Sequence, residues 1–295
     1  MPSDAIRRQV GSIESLTSEF TNRLQRIIGQ AQASITAQLQ QELIIEQGVI
    51  QNTAGNRAVL RRFSTMFMET MDRAGYGTLV EAFVGQFPGQ FQYFQQVIQE
   101  ISETIKTPLA RFEFSQRDLA LFSSQQLSAD TSLRGMVSRA AELAQQQSLF
   151  SVGGLPFRDL TSMIADRLSV SLGDATTLAG TSLSTFYRGI AARGFEIIER
   201  DSTTTEEAMR YRYEGPVDKL IRPFCARLMK SQRTYTREQI TDMRNGQLPN
   251  PFVTGGGYNC RHQWIIQPDK EQMTLQARAG ARPWPAPQGM RWARR

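Results

Sequence analysis

The stretch Ile6-Arg7-Arg8-Gln9-Val10-Gly11-Ser12-Ile13-Glu14-Ser15-Leu16 opens a pattern that continues through Phe20, Leu24, Ile27, Ala31 and Ile35 to Leu39. Ten apolar residues recur in nine steps over 33 residues, a mean spacing of about 3.7 that lies close to the helical period. One long amphipathic helix is expected. Its opposite face carries Gln, Ser, Thr and charge, so the apolar stripe has to be covered, either by other helices of a bundle or by another copy of the chain. The second alternative makes this helix a candidate oligomerisation arm.

The pattern after Leu39 extends the helical reading. Asn52 to Asn56 punctuates the chain, and Val59, Leu60, Phe63, Met66, Phe67 and Met71 then give a second helix ending at Gly75 and Gly77. Phe83, Phe87, Phe91 and Phe94 are spaced by three or four residues around Pro88-Gly89, as in two short helices that gather their rings into an aromatic core. Ser151 to Pro156 reads as a loop. Leu160, Ile164, Leu168 and Leu172 make a helix that Gly173-Asp174 should stop, and a further helix carries Leu178, Leu183, Phe186, Ile190, Phe195 and Ile198, with Arg188 and Arg193 as solvated charges and a linker at Ser202 to Thr205.

Of 29 glutamines, 21 precede Ser148 and none lies between Ser148 and Ser231, a composition shift that suggests a boundary. The expected fold class is mainly α: an elongated helical N-terminal region followed by a small α+β C-terminal module. The expected division is 1–150 as a Gln-rich helical scaffold or arm, 151–205 as a helical segment, 206–270 as the α+β module, and 271–295 as a basic tail containing Pro and Trp.

Bulk properties bound the function. With 295 residues and 40% apolar content the chain can bury a large core. It has no run of 18 or more apolar residues and no apolar segment after its basic start, so neither a membrane segment nor a secretory leader is expected, and synthesis in a cytoplasm is. Two cysteines are too few for a secreted disulfide framework. The formal charge of +6 suits nucleic acid or an acidic partner surface. No acidic residue follows Glu271, while Arg278, Arg282, Arg291, Arg294 and Arg295 stand among prolines and tryptophans, so that tail is a candidate contact for DNA or for an acidic protein surface.

Both cysteines and the only histidine fall between Tyr211 and Trp264. Met209 to Tyr213 alternates large residues with arginine, as a short half-buried strand does. A helix should begin at Pro223, placing Cys225 in its first turn, where N–H groups and the helix dipole favour a thiolate. Tyr235 to Ile240 starts another short helix ended by Asn245-Gly246, and Pro249-Asn250-Pro251 reads as an extended loop. Gly255-Gly256-Gly257 permits a close bend. Tyr258 to Ile266 is strand-like, which would set Cys260 and His262 side by side on one face.

The blocks Gly-Pro-Val-Asp-Lys-Leu-Ile-Arg-Pro-Phe-Cys (Gly215 to Cys225), Tyr-Thr-Arg-Glu-Gln-Ile (Tyr235 to Ile240) and Gly-Gly-Gly-Tyr-Asn-Cys-Arg-His-Gln-Trp (Gly255 to Trp264) together resemble the C-terminal module of tailed-phage minor head proteins, the Mu-F-like head morphogenesis family. The resemblance spans about Leu178 to Pro268 and leaves the first 150 residues uncovered. A common form of the family has a histidine in the first block and Asn-Cys-Arg-Cys in the last; here Cys225 and His262 exchange those types. Zinc accepts thiolate or imidazole at a tetrahedral corner, so a metal site tolerates that exchange.

Four readings of these residues stay open: a structural metal site of Cys225, Cys260, His262 and Asp218, with zinc as the fitting ion; a Cys225–Cys260 disulfide; inert packing; and a Cys-His nucleophile. Arg222, Asn259 and Arg261 are expected in structural roles, Asn259 capping a turn and Arg222 or Arg261 pairing with Asp218. The resemblance implies a structural, non-enzymatic virion protein made in the host cytoplasm. It would be associated with the portal or the major capsid protein in the phage head and touch DNA during packaging or ejection. The alternatives are a metal-dependent hydrolase or toxin-type effector, and a free nucleic-acid-binding protein.

Overall fold

The apolar stripe of the first 40 residues forms α1 (Asp4–Glu42), and its positions Ile6, Val10, Ile13, Phe20, Leu24, Ile27, Ala31, Ile35 and Leu39 are all buried. In this computed structural model residues 4–105, 113–151, 155–201 and 209–267 are described. A small hairpin of β1 (Ile45–Glu46) and β2 (Val49–Ile50) turns the chain into α2 (Ala54–Arg61), α3 (Phe63–Arg73), α4 (Tyr76–Val84), a 3-10 turn at Phe87–Gly89 and α5 (Gln90–Ile105). Two long helices follow, α6 (Gln116–Ser151) and α7 (Phe157–Asp201). Then come β3 (Arg210–Glu214), α8 (Pro223–Ser231), β4 (Thr234–Tyr235), α9 (Arg237–Asp242), α10 (Pro251–Thr254) and β5 (Gln263–Gln267). The chain is therefore mainly α, with a small α+β region at its C-terminal end.

α1 packs on α3, α4, α5 and α7 of its own chain. Its stripe is covered inside the bundle, the first of the two alternatives that the pattern leaves open. The aromatic core forms as the spacing suggests: Phe87 lies 5.1 Å from Phe186, Phe91 5.4 Å from Phe122 and Phe94 5.4 Å from Phe195, mostly edge to face.

α7 does not break at Gly173-Asp174; it runs on to Asp201. A glycine weakens a helix by backbone entropy without stopping it, and the left-handed turn with which a glycine commonly ends a helix is absent at Gly173. The uninterrupted helix contacts α1, α5 and α6 on one part of its surface and α10 on another. It is the beam on which the C-terminal region is mounted, and one buried cluster extends from Ala5 to Ile266. The Ser202–Thr205 linker, part of the Ser151–Pro156 loop, and the tail with Arg278, Arg282, Arg291, Arg294 and Arg295 lie outside the described residues.

The sheet is antiparallel in the order β4-β3-β5, with Tyr211 opposite Tyr235 on one side and Tyr213 opposite Trp264 on the other. Pro223 opens α8 from the Arg222 cap, and α9 carries a capping box in which Thr236 Oγ1 accepts from the Gln239 N–H while the Gln239 side chain accepts from the Thr236 N–H. Two local expectations fail. Pro251 begins a one-turn helix in place of an extended loop, and β5 starts only at Gln263, so Cys260 and His262 sit in the irregular approach to the strand.

Candidate metal centre

Cys225 comes from the first turn of α8, Tyr213 from β3, and Cys260 and His262 from the loop entering β5, and these four side chains meet in the interior. Cys225 Sγ is 3.7 Å from Cys260 Sγ, and Cys260 Sγ is 4.0 Å from His262 Nδ1. The Tyr213 hydroxyl stands 3.5 Å from Cys225 Sγ and 3.4 Å from Cys260 Sγ. The His262 ring lies parallel to that of Tyr213, 10° between planes at a centroid distance of 5.4 Å. Both cysteines are free thiols.

The glycines of the last block bring the backbone against the sulfurs. The Gly256 N–H donates to Cys260 Sγ at 3.0 Å, and a Cβ on Gly256 would fall 2.3 Å from Cys225 Sγ. Gly255 has a positive φ of 58°, which puts its carbonyl within reach of Asn245 Nδ2 at 2.9 Å.

Charge within the group is uneven. Donation from the Cys225 thiol holds Cys260 well below the ordinary thiol range, helped by His262, the nearby Arg188 charge and Tyr213, and opposed by burial. Cys225 is pushed up because it donates to Cys260 and because it is buried. Of the two sulfurs Cys260 is the one whose surroundings favour negative charge, although the helix-terminus argument favours Cys225. The difference is local: Cys260 receives the N–H groups of Gly256 and, at 3.4 Å, of His262. Burial raises the Tyr213 phenol well above its usual value.

Cys225, Cys260 and His262 are brought together as expected, with ligand atoms all within 4.8 Å of one another, and this buried group can bind a metal. Asp218 is not part of it. Its carboxylate faces Arg261, with contacts of 2.7 and 2.6 Å, and accepts the Leu220 N–H. Those donors, Arg261 first, bring it down to about 2. The carboxylate is turned to Arg261 and stands outside the group of ligand atoms that lie within 4.8 Å of one another, so the four-residue set expected with Asp218 is corrected to three.

Arg261 also reaches Glu14 of α1 at 3.2 Å, which ties the first motif block to the third and both to the bundle. Arg222 holds the Gly256 carbonyl at 3.0 Å and Gln247 at 2.8 Å, not Asp218. Asn259 has a φ of 51° and docks on α7 through its N–H to Thr181 Oγ1 at 3.0 Å.

Three residues escaped sequence reasoning. Arg188, expected in solvent, is only 4% exposed; it donates to the carbonyls of His262 (2.9 Å), Val253 (3.4 Å) and Cys260. Arg193 likewise pairs with the buried Asp118 at 2.6 Å. Tyr213 read as a strand residue with no chemistry; its alternation with Arg210 and Arg212 marked an inward side chain but not what it would meet. A cavity of about 10 Å³, room for one water, adjoins Cys260, Arg261 and His262 together with Gln9, Tyr187 and Gln263.

No match to the chain was found among protein-family models, curated proteins or solved structures.

Proposed function

We propose that this chain is a structural minor head protein of a tailed phage, similar to the Mu-F-like head morphogenesis family, whose C-terminal region is a clasp held by zinc on Cys225, Cys260 and His262. The observation that carries the reading is the convergence of the three motif blocks on one buried point. Cys225 closes the first block; Tyr235 of the second packs on Trp264 at 5.7 Å; Cys260, Arg261 and His262 of the third meet the first. Residues shared with a family module by spacing alone have no reason to meet in the interior. Residues that form its working core do.

Zinc fits the donor set. With zinc–sulfur bonds of about 2.3 Å, two sulfurs at tetrahedral corners lie about 3.8 Å apart, and the two sulfurs here are 3.7 Å apart. Thiolate and imidazole together select zinc over hard cations. The adjoining cavity, with room for one water, is too small for a substrate, which favours a structural role over hydrolysis.

In this reading the protein is made in the host cytoplasm and resides in the virion head, where it contacts the portal or the major capsid protein and touches DNA through the arginines of its tail. Purified particles test it: the chain should co-sediment with them and stay with the portal at a fixed ratio after capsid disassembly. Absence from both particles and assembly intermediates would sink the proposal. DNA contact is read separately, as salt-dependent retention on DNA that is lost when 277–295 are removed.

A further inference from the structure

The three atoms Cys225 Sγ, Cys260 Sγ and Tyr213 Oη form a nearly equilateral triangle with sides of 3.7, 3.5 and 3.4 Å. In a tetrahedral site with sulfur at about 2.3 Å and oxygen at about 2.0 Å from the ion, a sulfur corner and an oxygen corner lie about 3.5 Å apart. The Tyr213 oxygen thus stands where an oxygen ligand belongs. We propose that Tyr213 is the fourth metal-contacting residue, closing the centre as two sulfurs, one imidazole nitrogen and one phenol oxygen, in the place the sequence suggested for Asp218. This rests on reading Cys225, Cys260 and His262 as metal ligands.

The remaining geometry fits. His262 supplies the apex: its Nδ1 is 4.0 Å from Cys260 Sγ and the sulfur and imidazole ligand atoms lie within 4.8 Å of one another, against about 3.6 Å for adjacent nitrogen and sulfur corners, so the ring has to move inward on binding. Its other nitrogen, Nε2, is buried without a hydrogen-bond partner among the described residues, and Tyr187 and Gln263, whose side chains interact with each other, stand beside it. All three residues line the one-water cavity, whose walls include neither Cys225 nor Tyr213. A water held there would give the imidazole the outer partner that metal-bound histidines have and leave Nδ1 for the ion.

That cavity touches the cluster through Cys260 and His262, while Tyr213, 2% exposed and not among its walls, is placed to take the corner that a water ligand would otherwise fill. Arg188 adds a charge argument. Its hydrogen bonds go to three backbone carbonyls, and a centre with three anionic ligands around a divalent ion would balance the guanidinium buried beside it. On loading, whatever protons the two sulfurs carry and the Tyr213 phenol proton leave to solvent.

The test uses the full chain, stripped with chelator under reducing conditions and titrated with Co²⁺ and, separately, with Zn²⁺. The expected result with Co²⁺ is a tetrahedral visible spectrum with sulfur-to-cobalt charge transfer. With Zn²⁺ the ultraviolet difference spectrum should show ionisation of about one tyrosine per bound ion. Tyr213→Phe should keep the sulfur charge transfer, change the visible band pattern, lose the tyrosinate signal and bind Co²⁺ about ten- to a hundredfold more weakly. The tyrosinate signal is read on the unmodified protein, so the test survives a Tyr213→Phe variant that fails to fold. Metal binding with no tyrosinate signal, or a folded Tyr213→Phe with unchanged spectrum and affinity, overturns Tyr213 as a ligand and leaves the metal site standing. No binding of either ion by the unmodified protein overturns the metal site itself.

Discussion

The guanidinium of Arg188, in the middle of α7, donates to the carbonyl oxygen of His262 at 2.9 Å and also takes the Cys260 carbonyl. A helix of the bundle thereby fixes the backbone that presents two of the three candidate ligands. Replacing Arg188 by Met keeps most of the stem and removes the donors, leaving buried carbonyls unpaired. The expected loss is about 3 kcal/mol of unfolding free energy, measured by urea denaturation. A loss below about 0.5 kcal/mol would mean that the carbonyls find other partners.

Metal content gives the second prediction. Protein purified without chelator should carry about one zinc per chain by elemental analysis, and Cys260→Ser or His262→Ala should lower that ratio sharply. Asp218→Asn should leave it unchanged, because both of its oxygens serve Arg261. Chelation should lower the thermal midpoint, since a ligand set drawn from three separate segments is lost on unfolding. Fully folded protein without metal, insensitive to added zinc, would leave a packed thiol pair as the account of the cluster.

The Arg261–Asp218 pair gives a pH dependence with a definite sign. The folded-state value of Asp218, held near about 2, lies below the unfolded value of about 3.9. The stability it contributes is therefore present above about pH 4 and lost as pH falls through about 2. The thermal midpoint of the wild type should exceed that of Asp218→Asn at about pH 6, and the two should converge near about pH 2. Asp218 is well exposed, so the gap at neutral pH should be small and should shrink with added salt.

Helices with strong local signals were legible in the sequence. The stripe from Ile6 to Leu39, the proline start of α8 and the Thr236–Gln239 cap each encode their element within a few residues. The cluster was legible by scarcity, because the only histidine and both cysteines fall within the 38 residues from Cys225 to His262. Long-range geometry was not. Arg188 looks like any helix-face arginine until α10 and the Cys260 loop are laid over it, and Asp218 looks like a ligand until Arg261 is seen to face it. Tyr213 gains its place only through the register that sets it opposite Trp264.

Two glycines in different surroundings separate local propensity from packing. Gly173 sits in the interior of α7 with nothing within 4 Å of an added Cβ and no positive φ. Gly173→Ala should therefore stabilise the protein by about 0.5–1 kcal/mol, through the lost freedom of the unfolded chain and better helix propensity. Gly256 also lacks a positive φ, yet its Cβ would stand 2.3 Å from Cys225 Sγ. Gly256→Ala must push the sulfur or the loop aside, at a cost of about 1–3 kcal/mol, and should abolish stoichiometric zinc binding. Urea denaturation and metal analysis of the two variants give opposite signs if α7 is continuous and the loop is packed on the sulfur. A destabilising Gly173→Ala would mean that the helix does bend at that point, as Gly173-Asp174 suggests from sequence.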